Sequence, residues 1–185
     1  MTIFWIVIGV VAAIAVWLIA AYNRLVRYRY RAREALSDID VQLKRRYELI
    51  PNVVETVKGY MQHERSVLEN VTMARTQAMA QGGDPLKRAK AENALSNTLK
   101  TLFAVSENYP DLKANANFLD LQRELADTEN KIQASRRFYN GTVRDYNTAI
   151  ETFPTRLISG TFGFGAMEFF ELGSEAEREP VKVEF

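Results

Sequence analysis

The sequence predicts an all-α protein in which an N-terminal transmembrane helix is followed by an antiparallel bundle of long helices. Three features lead to this prediction: an uninterrupted apolar run near the N-terminus, helical spacing of apolar residues beyond it, and a seven-residue repeat later in the chain. The predicted division is an anchor at residues 1–23, a helical bundle at 24–154, and a Phe/Gly-rich segment with an acidic tail at 155–185.

The anchor is predicted at residues 3–21, where nineteen consecutive residues are apolar or glycine. A helix of that length measures roughly 28 Å, close to the thickness of a bilayer's hydrocarbon core. Trp5 and Trp17 lie toward its two ends, as aromatic residues at membrane interfaces do. A cleaved signal peptide is the alternative, because Ala13-Ile14-Ala15 fits a cleavage pattern. No basic residue precedes the run, however, and the run is longer than a signal peptide's apolar core.

Basic residues flank only one side of this run. Five arginines come between it and the first acid, Glu34, and they are Arg24, Arg27, Arg29, Arg31 and Arg33. The positive-inside rule therefore predicts a single-pass membrane protein with the N-terminus outside and residues 22–185 in the cytoplasm. The same arginines would lie near anionic lipid headgroups and could bind them, or they could serve only to fix the topology.

Composition narrows the function further. The chain has no cysteine, which excludes disulfides and thiolate sites and agrees with a cytoplasmic domain. The formal net charge is +1, and we interpret the short cluster Lys44-Arg45-Arg46 as a solvated helix face, so we expect no nucleic-acid partner. The single histidine, His63, lies outside any metal or catalytic motif. We therefore expect no enzyme, no catalytic residue, no metal and no cofactor.

A helical pattern extends from residue 24 to about residue 80, where apolar residues recur at intervals of three and four. Pro51 lies inside this pattern and removes one backbone donor, so it must kink or break the helix. The apolar stripe stays in phase from Ile50 to Val57, and no Gly or Ser cluster flanks the proline. A kinked, continuous helix is therefore favoured over a helix-turn-helix at Pro51.

The next boundary is the glycine-containing turn at residues 81–85, after which Asp84 and Pro85 form a good helix start. We expect a helix from residue 85 to about residue 107. Tyr109-Pro110 then turns the chain.

The segment from residue 112 to about residue 153 has the most regular pattern in the chain. Two series of residues seven apart form a seam, and they are Phe118, Leu125, Ile132, Tyr139, Tyr146 and Phe153, and Gln122, Glu129, Arg136, Val143 and Ile150. Such a seam packs against neighbouring helices at a shallow angle, as in a coiled coil. Gln122, Glu129 and Arg136 are polar, and we interpret them as a layer that fixes the bundle register, with partners on neighbouring helices.

Residues 159–172 differ from the rest of the chain and match neither a good helix nor a clean strand. They contain three glycines and four phenylalanines, which are Phe162, Phe164, Phe169 and Phe170. Two interpretations stay open: the phenylalanines pack on the bundle, or they form an exposed surface for association with a partner or a membrane.

Ten short motifs, in order along the chain, resemble the LemA family. They are residues 22–26 (YNRLV), 37–46 (SDIDVQLKRR), 49–54 (LIPNVV), 63–64 (HE), 74–75 (AR), 109–112 (YPDL), 128–130 (TEN), 136–140 (RRFYN), 146–147 (YN) and 153–154 (FP). The resemblance implies a bacterial single-pass membrane protein with a cytoplasmic antiparallel helical bundle. It supplies no catalytic residue. Some relatives are associated with magnetosome membranes and some occur beside membrane peptidases, which suggests a scaffold or a partner at the membrane.

Three functional hypotheses follow. The first is a non-enzymatic scaffold that organises membranes by assembling as a homo-oligomer, with membrane lipids as further partners. The second is an adaptor for a membrane-bound partner such as a protease. The third is an unrecognised hydrolase that uses His63 and nearby carboxylates.

Overall fold

The computed structural model describes residues 1–81 and 85–170, and these residues form helices and no strand. The helices are α1 (Thr2–Lys58), α2 (Arg65–Ala80), α3 (Pro85–Ser106), α4 (Pro110–Lys113), α5 (Ala116–Glu151) and α6 (Thr155–Thr161). The prediction of an all-α protein with a long N-terminal apolar helix is confirmed. The predicted turn residues 82–84 and the acidic tail from residue 171 lie outside the described residues.

The described chain divides into two compact units. The first unit comprises Met1–Ser37 and Arg137–Phe169, and the second comprises Asp38–Arg136 and Phe170. These boundaries differ from the predicted division at residues 23 and 154. Both α1 and α5 contribute residues to each unit.

Helix α1 continues through Pro51, as the in-phase apolar stripe predicted. A proline at this position cannot donate to the backbone carbonyl of Tyr47, four residues earlier. The Nε of Arg75 on α2 donates to that carbonyl instead, at 2.8 Å. A side chain from the neighbouring helix therefore replaces the missing backbone donor, and the helix does not break.

The break occurs later, at residues 59–64, so the prediction of helix up to residue 80 without interruption is wrong there. Gly59 follows the last residue of α1, and glycine is a poor helix former because it loses the most backbone entropy on ordering. The backbone N–H groups of Tyr60 and Met61 both donate to the carbonyl of Val57, at 2.9 and 3.0 Å. These bonds close the end of α1 before α2 begins at Arg65.

Helix α3 ends one residue before its predicted limit, but the following segment is divided. A single turn, α4, precedes α5, because the Asn115 side chain accepts a hydrogen bond from the Phe118 backbone N–H at 3.0 Å. This is the bond of a helix N-cap, so Asn115 defines a new helix start.

The seam of α5 is buried along most of its length, as the seven-residue repeat predicted. Gln122 and Glu129 are half-buried, and Phe153 is 78% exposed because α5 ends at Glu151. The second unit's core includes Ile50, Leu95, Phe118 and Leu125. The first unit's core is smaller and contains Leu25, Tyr146, Ile150 and Phe164.

The last helix, α6, corrects the expectation that residues 159–172 contain no helix, because it extends to Thr161. The buried Ser159 hydroxyl donates to the carbonyl of Ile150 at 2.8 Å, which fastens α6 to the end of α5. Residues 162–170 have no regular secondary structure.

Candidate functional site

The five predicted lipid-proximal arginines, Arg24, Arg27, Arg29, Arg31 and Arg33, are all exposed on α1. Two of them contact tyrosines on the same helix. Arg24 donates to the Tyr28 hydroxyl at 3.3 Å, and the Arg33 guanidinium lies 5.8 Å from the centre of the Tyr30 ring. These charges are therefore accessible to anions next to the apolar run.

The first unit holds an irregular segment, residues 162–169, which we name the strap. A strap without secondary structure must find partners for its backbone groups elsewhere. Asn147 on α5 supplies two, since its side chain donates to the Met167 carbonyl at 2.8 Å and accepts from the Met167 N–H at 2.9 Å. Tyr146 donates to the Gly165 carbonyl and Tyr139 to the Glu168 carbonyl, each at 3.0 Å. Three side chains of α5 therefore fix the path of the strap.

The tyrosines of this arrangement keep their protons at neutral pH. Burial raises the pKa of Tyr146, and the positive charge of Arg29 opposes that shift only partly. Burial also raises the pKa of Tyr139, and the negative charge of Glu168 raises it further. Both hydroxyls therefore remain hydrogen-bond donors to the strap.

The four phenylalanines predicted as an association surface do not share one environment. Phe162 is 59% exposed and Phe169 is 45% exposed. Phe164 is buried with Leu25 in the first unit's core, and Phe170 is buried in the second unit. The prediction is therefore wrong for Phe164 and Phe170 as surface residues, since their apolar rings complete the two cores. Phe162 and Phe169 remain partly exposed, although one edge of Phe162 packs against the Tyr22 ring of α1, with the ring centres 5.2 Å apart.

The second unit contains a buried charge cluster that includes two residues of the predicted polar layer. Arg46 on α1 donates through Nη1 to Glu129 Oε2 on α5 at 2.6 Å and to Ser96 Oγ on α3 at 2.9 Å. Its Nη2 donates to Glu92 on α3, and the Tyr47 hydroxyl donates to the other oxygen of Glu92. Arg46 is therefore the centre of the cluster.

The burial of Arg46 corrects the interpretation of Lys44-Arg45-Arg46 as a solvated face. Lys44 and Arg45 are exposed, but Arg46 is 0% exposed. The reason is its position, because Arg46 continues the buried stripe of Leu43 and Ile50. The carboxylates of Glu92 and Glu129 compensate for its removal from water.

Arg136, one heptad after Glu129, is also buried. Its Nη1 donates to Asn93 Oδ1 at 3.1 Å, and its guanidinium lies 4.7 Å from the centre of the Phe170 ring. Its Nε and Nη2 have no hydrogen-bond partner within the described part of the chain. Burial lowers the pKa of Arg136, and the positive charge of Arg46 lowers it further.

The electrostatics of the cluster keep Glu129 ionised. Burial alone would raise its pKa, but the charge of Arg46 and the hydrogen bond from Gln133, at 3.1 Å, outweigh burial and lower it. Burial raises the pKa of Tyr47, and its hydrogen bond to Glu92 raises it further. Glu129 is therefore held as a carboxylate at neutral pH.

Gln122, the third residue of the predicted polar layer, lies beside the charge cluster and lines a cavity there. It is half-buried and lines an apolar cavity of about 210 Å³ that also borders Arg46, Ser96 and Glu129. Within the predicted layer, Glu129 binds Arg46 and Gln133, and Arg136 binds Asn93.

Sequence reasoning missed Arg46 and Glu92 as members of the cluster. The sequence did contain an indication, because each of these two residues occupies a position of an apolar stripe where an apolar residue would be expected. Arg46 lies three residues after Leu43 and four before Ile50, and Glu92 lies three residues before Leu95. A polar residue at such a position indicates a buried partner on another helix.

His63, the residue of the hydrolase hypothesis, is exposed in the connection between α1 and α2. Among residues 1–81 and 85–170, no group of three or more His, Asp or Glu side chains is arranged to hold a metal ion. The neighbouring Glu64 accepts a hydrogen bond from the Tyr109 hydroxyl at 3.4 Å.

Comparison with known proteins places these features in a family. A protein named LemA from Metamycoplasma hominis is 27% identical over 159 residues, which cover 86% of this chain and 72% of the relative. Magnetosome protein MamQ 2 from Paramagnetospirillum magneticum is 25% identical over 190 residues, covering 89% and 70%. Magnetosome protein MamQ from Magnetospirillum gryphiswaldense is 24% identical over 178 residues, covering 83% and 65%. The sequence profile of the LemA family matches residues 35–185, and the chain therefore belongs to the LemA family.

Proposed function

We propose that the chain is a single-pass protein of the bacterial inner membrane that acts as a non-enzymatic scaffold and self-associates through Phe162 and Phe169. The observation that carries this proposal is the strap. Three side chains of α5 hold its backbone, while the Phe162 and Phe169 side chains are 59% and 45% exposed. A fixed backbone that presents exposed aromatic rings loses little entropy when a partner covers them.

The anchor supports the membrane part of the proposal. Among the described residues, α1 is the one helix that is long and apolar enough to cross a membrane. Large side chains along its apolar run, such as Trp5 and Ile19, are exposed, so the run needs an apolar environment outside the chain. The arginines after the run support a cytoplasmic location for the rest of the chain.

Further exposed apolar side chains in the first unit support association. Phe138, Phe153 and Leu157 are each more than half exposed, as Phe162 is. Exposed apolar groups of this size are typical of interaction surfaces, and aromatic residues often provide much of the binding energy. The relatives named as magnetosome proteins are compatible with a role in organising a membrane.

Purification of the full chain in a mild detergent, followed by mass measurement of all eluting material, tests the scaffold proposal. We expect a particle containing several copies of this one polypeptide. Phe162→Ser/Phe169→Ser should reduce its mass to that of a monomer with unchanged helix content. Val41→Ser/Met73→Ser, which also changes two exposed apolar residues, is the matched control and should leave the particle intact.

The other outcomes of this measurement distinguish the hypotheses. Co-purification of a second protein, lost in Phe162→Ser/Phe169→Ser, would replace the scaffold by the adaptor hypothesis. A wild-type chain that elutes as a monomer with no other protein would contradict both.

Topology has its own test. A reporter fused after Phe185 should be cytoplasmic, and the full chain should stay in the membrane fraction after a carbonate wash. A soluble product that lacks the first fifteen residues would instead indicate a cleaved signal peptide.

A further inference from the structure

A cleft of about 800 Å³ lies within the first unit, beside the end of the apolar run. Helix α1 contributes Trp17, Ala20 and Ala21 from the run, followed by Arg24 and Arg27. These residues recur at intervals of three and four, so they lie on one face of α1. Along that face, the wall of the cleft changes from apolar to cationic.

Helix α5 lines the cleft with polar groups. Arg144 adds a third guanidinium, and Thr148 adds a hydroxyl. One acid, Asp145, lies in the same lining and pairs with Arg144 at 3.3 Å, with both side chains more than half exposed. Three arginines against one aspartate leave an excess of positive charge, and an exposed pair of this kind holds Arg144 only weakly.

The order of groups in the cleft matches the order of groups in a phospholipid. Acyl chains require the apolar surface of Trp17 and Ala20, and a phosphate requires donors where the run ends. Guanidinium groups bind phosphate through paired, charge-assisted hydrogen bonds, and the Thr148 hydroxyl can donate a further one. The volume lies in the range of about 300–1,000 Å³ that is typical of ligand sites.

We propose that this cleft is a specific binding site for the phosphate headgroup of an anionic phospholipid, and that Arg24, Arg27 and Arg144 bind the phosphate. The inference rests on the membrane anchoring in the proposed function, but not on self-association. It separates Arg24 and Arg27 from Arg31 and Arg33, which lie on the same helix outside the lining of the cleft. Only the first pair would bind one lipid in a defined geometry.

Native mass spectrometry of the full chain in a mild detergent, titrated with phosphatidylglycerol or phosphatidylcholine, tests this site. We expect the wild type to bind phosphatidylglycerol about tenfold more tightly. Arg24→Gln/Arg27→Gln/Arg144→Gln should abolish this preference. The matched control is Arg31→Gln/Arg33→Gln/Arg137→Gln, which removes three exposed charges from the same two helices and should change binding by less than about twofold.

A second variant keeps every charge and tests the cleft itself. Thr148→Trp places a large ring in the cleft from an exposed position, so the fold should tolerate it. We expect it to weaken binding of phosphatidylglycerol about as much as the arginine triple. Unchanged binding in a folded Thr148→Trp chain would overturn the proposal.

Other results would overturn it in different ways. Equal losses in the two arginine triples would mean diffuse attraction to anionic lipid, and equal binding of both lipids would mean no headgroup site. Displacement of the lipid by an equal concentration of glycerol 3-phosphate would assign the cleft to a soluble phosphate compound. A chain that is monomeric but retains the lipid preference would contradict the proposed self-association and leave the lipid site supported.

Discussion

The two units of this protein bury polar groups in different ways. In the second unit, charged side chains from α1, α3 and α5 meet around Arg46, and Glu92 and Glu129 bind it directly. In the first unit, neutral side chains of α5 bind the backbone of the strap, through Tyr139, Tyr146 and Asn147. One arrangement joins regular helices to one another, and the other fixes a segment without secondary structure.

This difference predicts which changes should destabilise each unit. Removing one member of a buried charge pair leaves an uncompensated charge, so substitution should destabilise the second unit strongly, and acid should destabilise it to a smaller extent. Neutral hydrogen bonds to a backbone each contribute less, about 0.5–1.5 kcal/mol, and do not titrate near neutral pH. The first unit should therefore respond locally and independently of pH.

The greatest loss of stability is expected when the charge cluster is disrupted. Arg46→Met leaves Glu92 and Glu129 without their shared cation, and we expect the free energy of unfolding to fall by about 3–5 kcal/mol. Circular dichroism at increasing urea concentration, on the full chain in detergent, measures this. Arg45→Met is the matched control, because Arg45 is exposed and lies 4.0 Å from Glu124, and it should cost less than about 1 kcal/mol. Equal losses would contradict a central role for Arg46.

The next effect concerns the charged donor that lets α1 pass Pro51. Arg75→Met removes the hydrogen bond to the Tyr47 carbonyl, and we expect a loss of about 2 kcal/mol in the second unit. In a Pro51→Ala chain, residue 51 regains an N–H for that carbonyl, so the same substitution should cost less than half as much. A double-mutant cycle from urea unfolding measures the coupling. Strictly additive losses would show that Arg75 acts independently of the proline.

A smaller and local effect is expected in the first unit. Asn147→Ala leaves both backbone groups of Met167 without their partner, and we expect the strap to open at a local cost of about 1–2 kcal/mol. Hydrogen exchange should become faster in peptides from residues 162–169 and stay unchanged in peptides from α2 and α3. Asn130→Ala, an exposed position on the same helix, is the control. Protection of the strap in Asn147→Ala would mean that packing alone fixes it.

The smallest effect is a difference in pH dependence between the units. The pKa of Glu129 in the folded chain lies below its ordinary value of 4.5, so its stabilising contribution is present above that pH and is lost as the pH falls through the folded pKa. The stability difference between wild type and Glu129→Gln should therefore shrink below about pH 4.5. The difference between wild type and Tyr146→Phe should stay constant, because the pKa of Tyr146 is raised above its ordinary value of 10. Parallel urea titrations across the acid range measure both, and two parallel profiles would contradict the contrast.

The sequence alone predicted much of the architecture. The apolar run of residues 3–21, the stripe that continues through Pro51 and the seven-residue seam all depend on local order along the chain. It did not predict the breaks at residues 59–64 and at Asn115, because one glycine or one capping side chain interrupts a pattern without changing its period. The candidate site residues were predicted less well. Two of the four phenylalanines are buried, and Gln122 lines a cavity while Glu129 and Arg136 bind side chains of other helices.

The helices and the faces that most of them bury follow from the order of residues along the chain, because helix period and apolar spacing are local properties. The apolar stripe of α1 already places Arg46 on the buried face, but tertiary structure alone decided its partners, since Glu92 and Ser96 come from α3 and Glu129 comes from α5. It also decided which phenylalanines are buried. The strap has no helical or strand period that could assign its side chains to a face. Phe164 fills a core while Phe162 is exposed, and the hydrogen bonds from α5 to residues 165–168 fix the backbone that follows them.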